Sequence, residues 1–329
     1  MTKKIKIGVI GAGHLGSLHI KILKTIDNID FIGFFETSPD RRNEIVNQYQ
    51  ITAFSDLDNL LEKSEAVIIA TPTPDHYLTA KNALMRNNHI FVEKPFTESA
   101  DQARELIQIA AENGLKIQIG HIERFNPAIL SLEKYDLKPR FIESHRLAQF
   151  QPRGSDVAVV LDLMIHDIDI ILSLIKSPIK QVDANGVAIV SENIDIANAR
   201  LKFQNGSVAN VTASRISQKK MRKMRIFQDD AYISIDFLTG SSEIFRLAAE
   251  NESSNNFVFS LGQIQKGAVQ RNIVYEKPEV KEVNALKYEQ ELFIDSIRNN
   301  TEPVVDGNDG MNAIVVASMI LEQIKSQNL

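Results

Sequence analysis

Residues 4–16, Lys-Ile-Lys-Ile-Gly-Val-Ile-Gly-Ala-Gly-His-Leu-Gly, constrain the fold more than any other stretch. Ile5, Ile7, Val9 and Ile10 are apolar and β-branched, the composition of a strand buried on both faces. A sharp turn follows, and a helix is predicted to begin near His14. Gly11, Gly13 and Gly16 stand at G-x-G-x-x-G spacing. In such a turn the first glycine permits the bend and the second lets the backbone approach a pyrophosphate. The third lets helix and strand pack closely, with the helix N-terminus facing the anion. Glycine-rich turns are common by themselves. Here the turn follows a strand, opens a helix and precedes an acidic residue at Glu36. It therefore reads as a dinucleotide site formed by Gly11, Gly13, His14, Leu15, Gly16 and Glu36.

The next hundred residues repeat the strand–helix alternation. Strands are predicted at 4–10, 29–36, 65–70, 89–92 and 115–119, with a short one near Ile51–Phe54, and helices near 14–25, 38–48, 75–87 and 98–113. That order implies α/β architecture, a doubly wound parallel Rossmann sheet over residues 1–121. Ligands of such sheets collect at the carboxyl ends of strands. Gly11–Gly16, Thr71-Pro72-Thr73 and Glu93-Lys94-Pro95 all fall at such ends.

After Gly120 the pattern changes. Strands are predicted at 141–150, 179–190, 222–228, 231–237 and 243–248, with a hairpin at 195–217 turning at Asn205-Gly206. Helices near 285–299 and 309–325 close the chain, and the polar stretch 249–282 carries no clear pattern. Residues 122–329 thus read as an α+β domain with an open, mainly antiparallel sheet.

Two domains suit 329 residues. A net charge of −5 gives no support for nucleic acid or anionic membrane as partner. With no cysteine, disulfides, thiolate zinc sites and cysteine nucleophiles are excluded, and a cytoplasmic location is expected. Lys6, the glycines and His14 interrupt the N-terminal apolar run too early for a signal peptide, and no segment is apolar enough to span a bilayer. The 7 histidines all lie at or before position 166, which confines histidine chemistry to that part.

Residues 157–175 form the second informative stretch. A helix there is apolar almost all round, hence buried, yet Asp162, His166, Asp169 and Ser173 recur at helical spacing along one face. Buried carboxylates without partners are costly. Three readings fit: a stripe satisfied internally or by water, a metal site built from Asp162, His166 and Asp169, or acid–base chemistry. In the last, His166 accepts a proton and Asp162 orients it.

The ordered motifs resemble the glucose–fructose oxidoreductase and inositol dehydrogenase family of sugar dehydrogenases. They are Gly11-x-Gly13-x-x-Gly16, Glu36, Thr71-Pro72 with His76, Glu93-Lys94-Pro95, Arg124-Phe125-Asn126-Pro127, and Asp162-x-x-x-His166-x-x-Asp169. The resemblance implies NAD as cofactor, contacted by the glycine turn, Glu36, Thr71, Pro72, His76, Glu93 and Lys94. It implies Lys94, Asp162 and His166 as catalytic group, with no metal, and a substrate lying between the nicotinamide and the open sheet. Arg124, Asn126, Asp162, His166 and Arg215 would bind that substrate, in a homodimer or homotetramer. Many members carry a glycine-rich run and Asp-x-Gly-x-His, where this chain has Val157–Leu161 and Met164. Segments 120–128 and 162–169 are most similar to a narrower branch that oxidises the 3-hydroxyl of UDP-N-acetylglucosamine, for 3-amino sugars of lipid A.

Arg215, Lys219, Lys220, Arg222, Lys223 and Arg225 place six cations within eleven residues. They read either as a solvated strand edge or as an anchor for a nucleotide-sugar diphosphate. Rival functions are a free-sugar or cyclitol dehydrogenase and a non-catalytic cofactor-sensing regulator.

Overall fold

A computed structural model describes residues 4–151, 157–248, 258–266 and 269–327. The chain divides into two compact units, residues 1–122 with 284–315, and residues 123–283 with 316–329.

The first unit alternates strand and helix as predicted, with one short unpredicted helix added between the third and fourth strands. It runs β1 (Ile5–Ile10), α1 (His14–Leu23), β2 (Ile29–Phe35), α2 (Pro39–Tyr49), β3 (Ala53–Phe54), α3 (Leu57–Lys63), β4 (Ala66–Ile69), α4 (Thr73–Met85), β5 (His89–Glu93), α5 (Ala100–Asn113) and β6 (Ile117–Gly120). All pairs are parallel, in the order β3-β2-β1-β4-β5-β6. The register sets the functional edge. Ile10 pairs with both Phe35 and Ile69, Ile69 with Val92, and Val92 with Ile119. The residues that follow, Glu36, Gly11, Ala70, Glu93 and Gly120, therefore leave the sheet in one row.

The second unit opens with a 3-10 turn (Ile122–Phe125) and α6 (Pro127–Leu130), then β7 (Phe141–Leu147). A π-helical turn (Val160–Met164) runs directly into α7 (Ile165–Leu174). Strands β8 (Ile179–Val187), β9 (Ile196–Phe203), β10 (Val208–Ser214), β11 (Met221–Gln228), β12 (Ala231–Asp236), β13 (Ser241–Leu247), β14 (Val258–Lys266) and β15 (Val269–Glu276) follow. They form a nine-stranded sheet ordered β14-β15-β13-β12-β11-β7-β10-β9-β8, antiparallel except where β7 and β10 run parallel. The hairpin turn at Asn205-Gly206 forms as expected, with Gly206 at φ +87°. One face carries an aromatic row, Phe141, Phe227, Tyr232, Phe245, Tyr275 and Phe259, with neighbouring centroids 5.0–6.5 Å apart. Within the polar stretch 249–282, residues 249–257 and 267–268 lie outside the described residues, and the rest supplies β14 and β15.

The closing helices are α8 (Ala285–Asn299) and α9 (Gly307–Gln327). A single cut after residue 121 does not describe the units, because α8 returns to the first. Phe293 and Ile294 join the buried cluster of Ile7, Val9, Ile20 and Phe91, with the Phe91 and Phe293 rings edge to face at 5.9 Å. Burying that apolar stripe is the force that recruits it.

Candidate active site

The glycine turn is built by close approach. Gly11 has φ +83°, and a Cβ on Gly16 would lie 2.0 Å from the Gly11 carbonyl oxygen. Gly13 differs: a Cβ there would meet nothing within 4 Å. Gly13 caps α1 without a side-chain hydrogen bond, and Gly13, His14 and Leu15 are exposed, so the first turn of α1 presents uncapped backbone N–H groups to an open face.

Glu36 is tied to this turn. Its Oε2 accepts from Ala12 N at 2.8 Å and its Oε1 from Ser38 N at 2.9 Å. A carboxylate has about four acceptor positions, so capacity remains for ribose hydroxyls. Arg41 donates through Nε to Ala12 O at 2.7 Å and through Nη2 to Gly13 O at 3.2 Å, and pairs with Glu44. The guanidinium is thereby fastened across the turn. At the neighbouring strand end, the buried Thr71 Oγ1 has no hydrogen-bond partner among the described residues. An open glycine backbone, an uncapped helix start, a carboxylate with spare acceptor capacity and an orphaned hydroxyl fit a dinucleotide.

His76 and Glu93 depart from the expected cofactor contacts. The His76 ring is 1% exposed, with Nδ1 2.8 Å from Pro95 O and Nε2 2.9 Å from Thr71 O. It is a strut between two backbone segments. The buried Glu93 carboxylate lies 2.7 Å from His19 Nε2 and turns inward. Lys94 is half-buried, and its peptide bond to Pro95 is cis. Pro72 is exposed and caps α4.

In the second unit, Asp162 lies in the π-helical turn and His166 in the first turn of α7, both half-buried. π-turns inside helices recur at functional sites because they re-aim side chains. The predicted single polar stripe breaks at Asp169. Its side chain is 1% exposed and accepts two hydrogen bonds from Arg124, from Nε at 2.7 Å and Nη2 at 2.8 Å. Ser173 donates to Ile170 O. Among the described residues no group of three His, Asp or Glu side chains is arranged to hold a metal ion.

The substrate roles expected for Arg124, Asn126 and Arg215 meet internal partners instead. Asn126 caps α6 through Ala128 N and donates to Glu123 Oε2 and Phe237 O. Arg215 is 4% exposed and donates to Val157 O at 2.6 Å, bracing the residues that lead into the π-turn. Asp195, fully buried, stands 4.0 Å from Arg215 and accepts from Ile189, Val190 and Ser191 backbone N–H and from Ser191 Oγ. Burial opposes its ionisation, yet these donors win and hold its pKa well below the usual carboxylate range. The basic cluster is largely neutralised: Arg222 pairs with Glu123, Lys223 with Asp236 and Arg225 with Glu143, while Lys219 and Lys220 are exposed.

Sequence reasoning missed Arg146 and Asp167. Arg146 is 2% exposed and bonds Asp167 through Nε at 2.7 Å and Glu123 through Nη1 at 2.7 Å. Burial would lower its pKa, but the two carboxylates raise it above the ordinary arginine value. With Arg124–Asp169, this network anchors the helical turn that follows His166. Losing one partner of such a buried pair typically costs about 3–5 kcal/mol. It also explains why segments 120–128 and 162–169 read as one signature: Glu123 and Arg124 are bonded, directly or through Arg146, to Asp169 and Asp167.

Residues 5–121 match an oxidoreductase family with an NAD-binding Rossmann fold, and residues 138–234 match the GFO/IDH/MocA C-terminal domain. UDP-N-acetylglucosamine 3-dehydrogenase of Acidithiobacillus ferrooxidans is 40% identical over 246 residues, 74% of this chain and 78% of that protein. The chain belongs to the GFO/IDH/MocA family. A solved structure of the Acidithiobacillus enzyme superposes with a TM-score of 0.87 at 34% identity, covering 99% of both chains. The scyllo-inositol 2-dehydrogenase (NAD(+)) of Bacillus subtilis is 28% identical over 236 residues, 66% of this chain and 69% of that protein. Family membership makes the chain an NAD-dependent oxidoreductase.

Proposed function

We propose that this protein oxidises the 3-hydroxyl of UDP-N-acetylglucosamine to a ketone, with NAD rather than NADP. The observation that carries the reading is the 40% identity to a UDP-N-acetylglucosamine 3-dehydrogenase, joined to a chain that retains Lys94, Asp162 and His166. Bound NAD would supply the hydride acceptor. His166 takes the hydroxyl proton, Asp162 orients the imidazole, and the Lys94 ammonium stabilises charge developing on the oxygen. Glu36 disfavours a 2′-phosphate by charge, and Arg41, fastened over the glycine turn, does not offset it. A cytoplasmic supply of 3-amino sugars for lipid A is the corresponding cellular role.

The test incubates protein and NAD or NADP with UDP-N-acetylglucosamine, N-acetylglucosamine or inositol. A 3-keto product is trapped by an aminotransferase with glutamate and read by mass spectrometry. Turnover is expected with the nucleotide sugar and NAD. Lys94→Ala and His166→Ala should lose about 10²–10⁴-fold in rate with cofactor affinity retained. Comparable activity on inositol or free sugar would replace this substrate with a cyclitol or free sugar. Self-association is part of the proposal, through the aromatic row that exposes Phe227 and Phe259. Light scattering should give a dimer or tetramer, and a strictly monomeric protein would refute that part.

A further inference from the structure

Lys94 is bracketed by two buried histidines to which the mechanism assigns nothing. On one side, His19 of α1 is 0% exposed and sits between two partners. The Gln290 amide of α8 donates through Nε2 to His19 Nδ1 at 2.7 Å. With the amide so oriented, Nε2 carries the ring hydrogen and donates to Glu93 Oε1, also at 2.7 Å. The other Glu93 oxygen packs on Gly120, where an added Cβ would lie 3.0 Å away. The carboxylate is thus held in a slot with a hydrogen bond on one wall and a side chain missing from the other. On the other side of Lys94, His76 fixes Pro95 O against Thr71 O. The Phe91 ring lies edge-on to the His19 ring at 5.2 Å, so the imidazole cannot swing without disturbing the core.

A buried carboxylate and two buried imidazoles are poor sources of stability, since desolvation offsets most of what their bonds return. Their arrangement has a different consequence. Glu93 and Pro95 are the chain neighbours of Lys94, and both are fixed by side chains from helices distant in sequence. We propose that His19, held by Gln290, is a positioning residue that fixes Lys94 through Glu93, with His76 performing the same task through Pro95. This rests on the reading of Lys94 as the residue that meets the reacting oxygen. It adds that the geometry of Lys94 is set from α1, α4 and α8. A displacement of about 1 Å at a reacting group can cost about a hundredfold in rate, so such bracing has a kinetic signature.

The experiment compares wild type with His19→Leu, His19→Gln and Gln290→Met in the full chain. The glutamine amide reaches as far as the imidazole Nε2 and keeps the donor to Glu93, whereas leucine removes it. Two readouts are taken. The first is the rate at which Lys94 is acylated by acetic anhydride as a function of pH, measured by peptide mass spectrometry against Lys63 and Lys219. This needs neither substrate nor turnover. The second is kcat and the KM for NAD with UDP-N-acetylglucosamine. His19→Leu is expected to change Lys94 acylation by at least about threefold without altering the reference lysines. It should lower kcat by about tenfold to a hundredfold while the KM for NAD stays within about twofold. His19→Gln should restore both, and Gln290→Met should shift both in the leucine direction by less. A folded His19→Leu with wild-type Lys94 acylation, or a His19→Gln as impaired as leucine, overturns the proposal. If leucine does not fold, the same criteria apply to Gln290→Met, for which unchanged acylation overturns it. Absence of turnover in wild type would reject the substrate reading alone, because acylation still decides the positioning role.

Discussion

Gly13 and Gly16 share one turn and answer to different demands. Gly16 has no room for a side chain, because its Cβ would fall 2.0 Å from the Gly11 carbonyl oxygen, far inside van der Waals contact. Gly13 has room and keeps its φ negative, at −60°, so the fold does not require glycine there. What requires it is the approach of a pyrophosphate to the backbone. Gly13→Ala is therefore expected to leave the unfolding midpoint within about 1 °C, and to weaken NAD binding about tenfold or more, as ~1.4 kcal/mol of lost contact would. Calorimetric titration checks it; a large loss of stability, or unchanged NAD affinity, would contradict this division of labour. The same comparison shows which residues were legible in the sequence. The glycines and Glu36 belong to a local motif whose spacing carries physical meaning, and the fold joins them at one turn. For Arg124, Asn126 and Arg215 the sequence leaves the partner open, because a polar residue in an informative segment looks the same whether it faces a ligand or an interior partner. Only Asp169, Glu123 and Val157, brought close by the fold, distinguish the two.

At the scale of elements, period and punctuation predicted most of the strands and helices, since β1, β4 and β5 are continuous apolar runs and the Asn205-Gly206 hairpin announces itself. The hairpin β14–β15 carries no clear sequence signal, because residues 259–265 are all exposed and lack the alternation that burial imposes on a strand. The π-turn at Val160–Met164 was read as plain helix, since apolar residues all round leave no phase to detect. The segment leading into it is fixed from outside: Val159 N donates to Ile194 O at 2.9 Å, and Arg215 to Val157 O. Asp195 holds that support together, and its titration makes the support dependent on pH. Its folded pKa is depressed, so its contribution is present above the unfolded value of about 3.9 and is lost as pH falls through the folded value. The difference in urea midpoint between wild type and Asp195→Asn should therefore be constant from pH 7 to about 5 and shrink below about 4. A difference that widened on acidification would show that these donors do not favour the charged carboxylate.

At the scale of the whole chain, the sequence order conceals how the two units are composed. Helix α8 follows the second sheet in sequence and belongs to the first unit, where Phe293 fills the core and Gln290 reaches His19. Amphipathicity predicts that such a helix packs, and says nothing of which sheet it packs on. The proposed reaction draws on three stretches distant in sequence: the Rossmann segment that carries Lys94, the segment that carries Asp162 and His166, and helix α8, whose Gln290 reaches His19. One chemical step would join them, the proposed removal of a hydride from carbon 3 of the sugar ring. UDP-N-acetylglucosamine deuterated at carbon 3, incubated with the protein and NAD, tests it most directly when the reduced cofactor is analysed by mass spectrometry. Deuterium is expected in the reduced cofactor from this substrate, and none from substrate deuterated at carbon 4. Reduced cofactor without deuterium from the carbon 3 substrate, or with deuterium from the carbon 4 substrate, would contradict it.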